Sequence, residues 1–182
     1  TIPTTVKTSR KYDAIVIGSG ITGGWAAKEL CENGLETLVL ERGGNMEHVK
    51  DYKTALKHPW EFENRNSPPA SDRDANPIQS KCYAWNEGSQ HLFVNDQKNP
   101  YTQVKPFDWI RGYQVGGRSL TWARQCYRWS PMDFEANAKD GVGIDWPIRY
   151  EDLAPWYSYV EKFAGISGNR DGVPQVPDGD FL

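Results

Sequence analysis

The chain has 182 residues, 38% of them hydrophobic, enough for one domain of ordinary size with a core. Its formal net charge of −3 provides no surplus of cations for a phosphate backbone, so nucleic acid is excluded as the default partner. No apolar run approaches the ~18 residues of a membrane span, and Cys31, Cys82 and Cys126 show neither CxxC nor metal-ligand spacing, which reads as free thiols and no metal site.

The chain begins TIPTT, without Met, and no signal peptide is visible. Its end, VPQVPDGDFL, is proline-rich and reads as a cut. The expectation is a piece of a longer protein, with a removed leader left open and the compartment, cytoplasmic or periplasmic, undecided. Eight Trp and nine Tyr make the sequence unusually aromatic, suited to stacking on flat rings and sugar faces as well as to packing.

The first element is a β-branched run, Ala14 to Ile17, which predicts a fully buried strand. Residues 22–33 then carry apolar side chains at helical spacing, with Gly34 as the stop. ETLVLE, residues 36–41, is the next buried strand. Strand, glycine turn, helix and strand within residues 12–42 predict a βαβ unit with a parallel pair, hence an α/β fold of the Rossmann-like kind.

From 44 to 105 the periodicity fails, and NSPPASDRDANP together with isolated aromatics predicts a long irregular excursion with short helices, one of them over 47–55. A structureless stretch of that length is expected only where it covers a ligand or a partner. RGYQVGGRSLTW, residues 111–122, is a second glycine-dense corner. Ser130 followed by Pro131 predicts a helix N-cap, and residues 150–168 read as helical, with Pro155 either kinking the helix or opening a new one.

GSGITGG, residues 18–24, fits G-x-G-x-x-G directly after a strand and at the start of a helix. Gly18 permits the tight turn, and Gly20 lets backbone approach a pyrophosphate with no Cβ in the way. Gly23 lets helix and strand pack closely. Ser19, Ile21 and Thr22 complete the turn, whose helix N-terminus offers amide donors to an anion. Glu41 closes the second strand about twenty residues on, where a carboxylate accepts hydrogen bonds from a ribose and repels a 2′-phosphate. These residues predict a dinucleotide site. By themselves they leave FAD and NAD open, and also a non-catalytic module that merely retains a nucleotide.

Arg42 and Gly43 continue that strand end as ERGG, and Val115, Gly116, Gly117, Arg118, Ser119, Leu120, Thr121 and Trp122 form the second corner. With IDWPIRYEDLAPWYSYVEKFAGISG, these segments resemble the glucose-methanol-choline (GMC) oxidoreductases, closest to the branch of pyranose oxidase, gluconate dehydrogenase flavoproteins and glucoside 3-dehydrogenases. The resemblance spans nearly the whole chain. It implies an FAD-binding domain of the GMC type, here incomplete, with Gly18–Gly23 and Glu41–Gly43 around the ADP half. It further implies that the loop Val115–Trp122 runs along the isoalloxazine, that 130–168 is a helical segment, and that the C-terminal substrate domain lies outside this chain.

The implied activity is hydride transfer from a CH–OH group of a sugar, sugar acid or glycoside to flavin N5. The electron acceptor, a protein or a quinone, and the oligomeric state stay open. Two departures bear on this. Thr121 stands where the pyranose oxidase branch has a histidine bonded covalently to flavin, so FAD is expected to be non-covalent. Arg118 replaces a small or apolar residue. His48, His58 and His91 all fall in the irregular excursion and match no catalytic base, so no catalytic residue is assigned within the chain.

Overall fold

The computed structural model describes residues 10–182, which divide into two units, one ending at Trp122 and the other spanning Ala123–Leu182.

In the first unit, β1 (Ala14–Ile17) and β2 (Thr37–Leu40) pair in parallel, in register from Ala14 opposite Thr37 to Ile17 opposite Leu40. Helix α1 (Ile21–Glu32) connects them, so the βαβ unit stands where the glycine and apolar pattern places it. α1 ends as its sequence requires. Gly34 sits at φ +85° and its amide bonds Cys31 O, while the Leu35 amide bonds Leu30 O. This double closure satisfies the last carbonyls of the helix and needs a left-handed residue. α1 begins against the strand: a Cβ on Gly23 would lie 2.0 Å from Gly18 O and 3.4 Å from Val16 Cγ1.

The strands are not fully buried, which corrects the sequence expectation. Val16 is buried, but Ile15 is 60% and Ile17 85% exposed, and Leu40 is 49% exposed. Parallel strands carry apolar residues on both faces because helices ordinarily cover both. Among the described residues the sheet has two strands only, and α1 packs on it.

The excursion from 44 to 105 contains one short helix, α2 (Ala70–Ala75), and single 3₁₀ turns at Pro59–Glu61, Gln79–Lys81 and Gln90–Leu92. The helix expected over 47–55 is absent. One helical bond forms, Asp51 N to Glu47 O, but Val49 at φ +70° leaves the right-handed region and the ladder stops. Order in the excursion comes from polar side chains that bridge distant backbone. Gln79, fully buried, donates from Nε2 to Asp96 Oδ1 (3.1 Å) and Trp109 O (2.9 Å), and its Oε1 accepts from the Arg111 amide (3.0 Å). Trp85 and Val94 are the buried apolar side chains of this region.

The second unit holds α3 (Pro131–Asp140) and α4 (Tyr150–Ala164). α3 starts at Ser130 as expected, and the Asp133 carboxylate reaches back to accept from the Ser130 amide at 2.7 Å. α4 is continuous through Pro155, which opens no new helix. Lying early in α4, Pro155 removes a single helical donor, the one that would meet the Glu151 carbonyl. Phe134, 1% exposed, packs between Trp129 and Trp146 at ring distances of 5.8 and 6.1 Å, while Trp156 stays outside this cluster. Arg128 and Glu161 form a buried two-point pair at 2.8 and 2.7 Å, extended by Tyr150 Oη and Ser158 Oγ.

Candidate functional site

The two glycine corners, far apart in sequence, line one cavity of about 380 Å³. Ile17, Gly18, Gly20, Ile21, Thr22 and Gly23 form one wall, and Arg118, Ser119, Thr121 and Trp122 the other. Where Gly117 faces Gly20, a Cβ on Gly117 would stand 3.5 Å from Gly20 Cα.

Each glycine of the first turn has its own reason. Gly18 adopts φ +93°, which a side chain disfavours. Gly23 has no room for a Cβ. Gly20 adopts an ordinary conformation, φ −66° and ψ −176°, and a Cβ there would meet nothing within 4 Å. Fold alone does not require glycine at position 20; the empty space belongs to the cavity. Gly20 is also the N-cap of α1, where no side chain caps the helix and no acidic residue occupies the first turn. First-turn amides without a side-chain partner, beside a missing Cβ, suit an anionic diphosphate. Across the cavity, Arg118 is anchored by a bond from Nη1 to Ile110 O (3.0 Å), and no carboxylate pairs with it among the described residues.

Glu41 lies behind the cavity rather than in its wall. Its Oε2 accepts from the Ser19 amide (2.8 Å) and Ser19 Oγ (2.6 Å), and its Oε1 accepts from the Gly43 amide (2.8 Å). The Ser19 hydroxyl and these backbone amides hold the carboxyl down at about 2. A carboxylate offers about four acceptor sites, and three hydrogen bonds occupy most of them here. Arg42 stacks over the Tyr113 ring at 3.6 Å. Gly43 is pressed on the same segment: a Cβ would lie 2.4 Å from Gln114 N. Gly44 and Gln114 form a parallel bridge, with the Val115 amide bonding Gly44 O at 2.9 Å.

The second corner is a 3₁₀ turn over Gly117–Leu120, entered through Gly116 at φ +86° and Gly117 at φ +53°. Ser119 Oγ donates to Gly116 O (2.6 Å) and Thr121 Oγ1 to Arg118 O (3.1 Å), so both hydroxyls brace the turn. Val115, before the turn, and Gly116, Gly117 and Leu120 do not line the cavity. Gln114, which sequence reasoning passed over, is buried and donates from Nε2 to Leu92 O (3.1 Å) and Gly117 O (3.2 Å). An amide side chain directly before a Val-Gly-Gly turn was the available signal. His48 and His58 contact Tyr52 and Trp60, and His91 lines a separate cavity with Asp72, Trp85 and Phe93. Among the described residues no group of three or more His, Cys, Asp or Glu could hold a metal, and no helix is long and apolar enough to cross a membrane.

No family model matches the chain. It is 30% identical over 174 residues to the fructose dehydrogenase large subunit of Gluconobacter japonicus, covering 91% of this chain and 29% of that protein. It is 27% identical over 175 residues to the gluconate 2-dehydrogenase flavoprotein of Pantoea cypripedii, covering 88% of this chain and 26% of that protein. The oxygen-dependent choline dehydrogenase of Xanthomonas euvesicatoria pv. vesicatoria is 30% identical over 154 residues, covering 84% of this chain and 23% of that protein. The chain thus spans under a third of the length of the curated relatives it matches. These relatives are glucose-methanol-choline oxidoreductases, and the chain is related to that family along about nine tenths of its own length.

Proposed function

We infer that this chain is the N-terminal part of the FAD-binding domain of a GMC-type dehydrogenase. Its substrate is a CH–OH group of a sugar, sugar acid or glycoside. The observation that carries this reading is the single cavity built from both glycine corners, with the open N-terminus of α1 and the Cβ-free Gly20 in one wall. Gly18, Gly20 and Gly23 would cradle the diphosphate, and Glu41 would accept from the ribose. Gly116–Trp122 would lie along the isoalloxazine, with Arg118 beside the phosphates. Bound FAD supplies a hydride acceptor; the residues of this chain bind and orient it. The exposed apolar faces of β1 and β2 support the same reading, since a parallel sheet needs cover on both sides. The similarity to a fructose dehydrogenase subunit and a gluconate 2-dehydrogenase flavoprotein favours sugars and sugar acids among CH–OH substrates.

FAD is held without a covalent bond, since a threonine hydroxyl at position 121 cannot form the link made by a histidine ring. Electrons then leave to a protein or quinone acceptor. The test is the colour and release of the cofactor in the whole protein. A yellow flavin that acid precipitation frees into the supernatant is expected. A colourless protein that binds NAD would establish the alternative Rossmann dehydrogenase. Flavin remaining in the pellet would refute non-covalent binding.

A further inference from the structure

The Ser19 hydroxyl is the hydrogen-bonded link between the two glycine corners. It has one proton, which goes to Glu41 Oε2 at 2.6 Å. Its lone pairs are thereby turned away from Glu41, and one of them accepts the Gly116 amide at 3.0 Å. The result is a directed chain: Gly116 N–H to Ser19 Oγ, Ser19 Oγ–H to the Glu41 carboxylate. Glu41 can only accept while it is ionised, so the direction of the chain is fixed.

The segment before Gly116 is held elsewhere, by the bridge between Gly44 and Gln114 and by the Val115 amide on Gly44 O, while Gln114 Nε2 braces Gly117 O within the turn itself. Among the described residues, Ser19 alone hydrogen-bonds the first turn to the second. Gly116 is also where the second turn begins its left-handed stretch, at φ +86° and then +53° at Gly117. A shift of the Gly116 amide therefore re-aims the Gly117–Leu120 turn that faces Gly20.

We propose that Ser19 is a positioning residue for the flavin-side loop: its hydroxyl, oriented by Glu41, sets where the Gly116–Leu120 turn stands beside the diphosphate turn. This rests on the reading of the cavity as an FAD site. Ser19 acts through Gly116, not on the flavin, and its loss should separate two properties that loss of the cradle would move together. ADP binding depends on the first turn, whereas the electronic environment of the isoalloxazine depends on the second.

The experiment uses the whole protein that carries this chain, as wild type, Ser19→Ala and Ser19→Thr. ADP affinity is measured calorimetrically on the apoprotein, and the visible absorption bands and midpoint potential on the FAD-loaded protein. Ser19→Ala is expected to keep ADP affinity within about three-fold, less than the ten-fold that a full net hydrogen bond corresponds to. It should also shift the flavin bands and the potential, and Ser19→Thr, which keeps the hydroxyl, should restore both. Unchanged bands and potential in Ser19→Ala would overturn the proposal, as would a loss of ADP affinity of ten-fold or more. A wild-type protein that takes up no flavin would overturn the underlying reading, and this proposal with it. A second measurement needs no variant: the Gly116 amide of the wild type should exchange with solvent about ten-fold more slowly than an unbonded loop amide. Exchange at the unbonded rate would also overturn the proposal.

Discussion

Gly20 and Gly23 are both glycine in the motif, yet the structure gives them different reasons. Gly23→Ala would drive a Cβ to 2.0 Å from the Gly18 carbonyl oxygen, a backbone atom that moves only with the turn. The expected outcome is a destabilisation of about 1–3 kcal/mol, the range for overpacking, read by denaturant unfolding. Gly20→Ala meets no atom and keeps an ordinary φ. Its stability should change by less than about 1 kcal/mol, since the gain through the unfolded chain is offset by the loss of glycine at the N-cap, while flavin affinity falls because the methyl group enters the cavity. A Gly20→Ala protein that binds flavin like the wild type would remove the diphosphate from that wall. Glu41 gives a pH dependence. Its carboxyl is held at about 2 against an ordinary 4.5. The folded form is favoured fully above about 4.5, and that contribution is lost as the pH falls toward about 2. The stability gap between wild type and Glu41→Gln should therefore narrow on acidification through that window. At neutral pH, Glu41→Ala should weaken flavin binding more than Arg42→Ala, since Glu41 holds three donors of the turn and strand end, whereas Arg42 lies on Tyr113.

At the scale of elements, the second unit turns on one buried pair. Arg128 and Glu161 are 9% and 7% exposed, and Glu161 Oε2 also accepts the Asp180 amide. Arg128→Ala leaves Glu161 buried without its cation, and a loss of about 3–5 kcal/mol is expected in thermal or denaturant unfolding. Replacing both partners with apolar residues of similar volume should cost far less, because no charge is then left unpaired. A double variant as unstable as Arg128→Ala would show that the packing, and not the charge, matters. This pair was invisible in the sequence: an arginine and a glutamate thirty-three residues apart carry no pattern. The βαβ unit was legible because its determinants are local, namely a β-branched run, a glycine turn, helical spacing and Gly34. The excursion was not, because Gln79 and Gln114 order it through single side chains that reach distant backbone, and polar residues have no period to read. The link from Ser19 to Gly116 spans ninety-seven residues, so the motif showed both loops without showing that they touch. The strands were read as fully buried for a sound reason, since their composition is that of a doubly covered parallel sheet; the cover is not among the described residues.

At the scale of the whole molecule, none of the three histidines lines the cavity between the glycine corners. The three histidines of the chain stand away from the cavity: His48 and His58 beside Tyr52 and Trp60, His91 in another hollow. General base catalysis contributes ~10²–10⁴-fold, and loss of a substrate-positioning wall costs at least about as much again. The chain produced alone should therefore show no measurable sugar-dependent dye reduction. A longer protein containing it, assayed beside it with gluconate and a panel of glycosides, is the comparison on which the proposed function rests. The isolated chain should also bind a hydrophobic dye and associate, since Ile15, Ile17, Val39 and Leu40 leave apolar strand surface open. Side-by-side assays with light scattering check both parts. Turnover by residues 1–182 at a rate near that of the whole protein would place the base inside them, with His48, His58 and His91 as the only histidine candidates. An isolated chain that stays monomeric and leaves the dye dark would show that something within these residues covers the sheet.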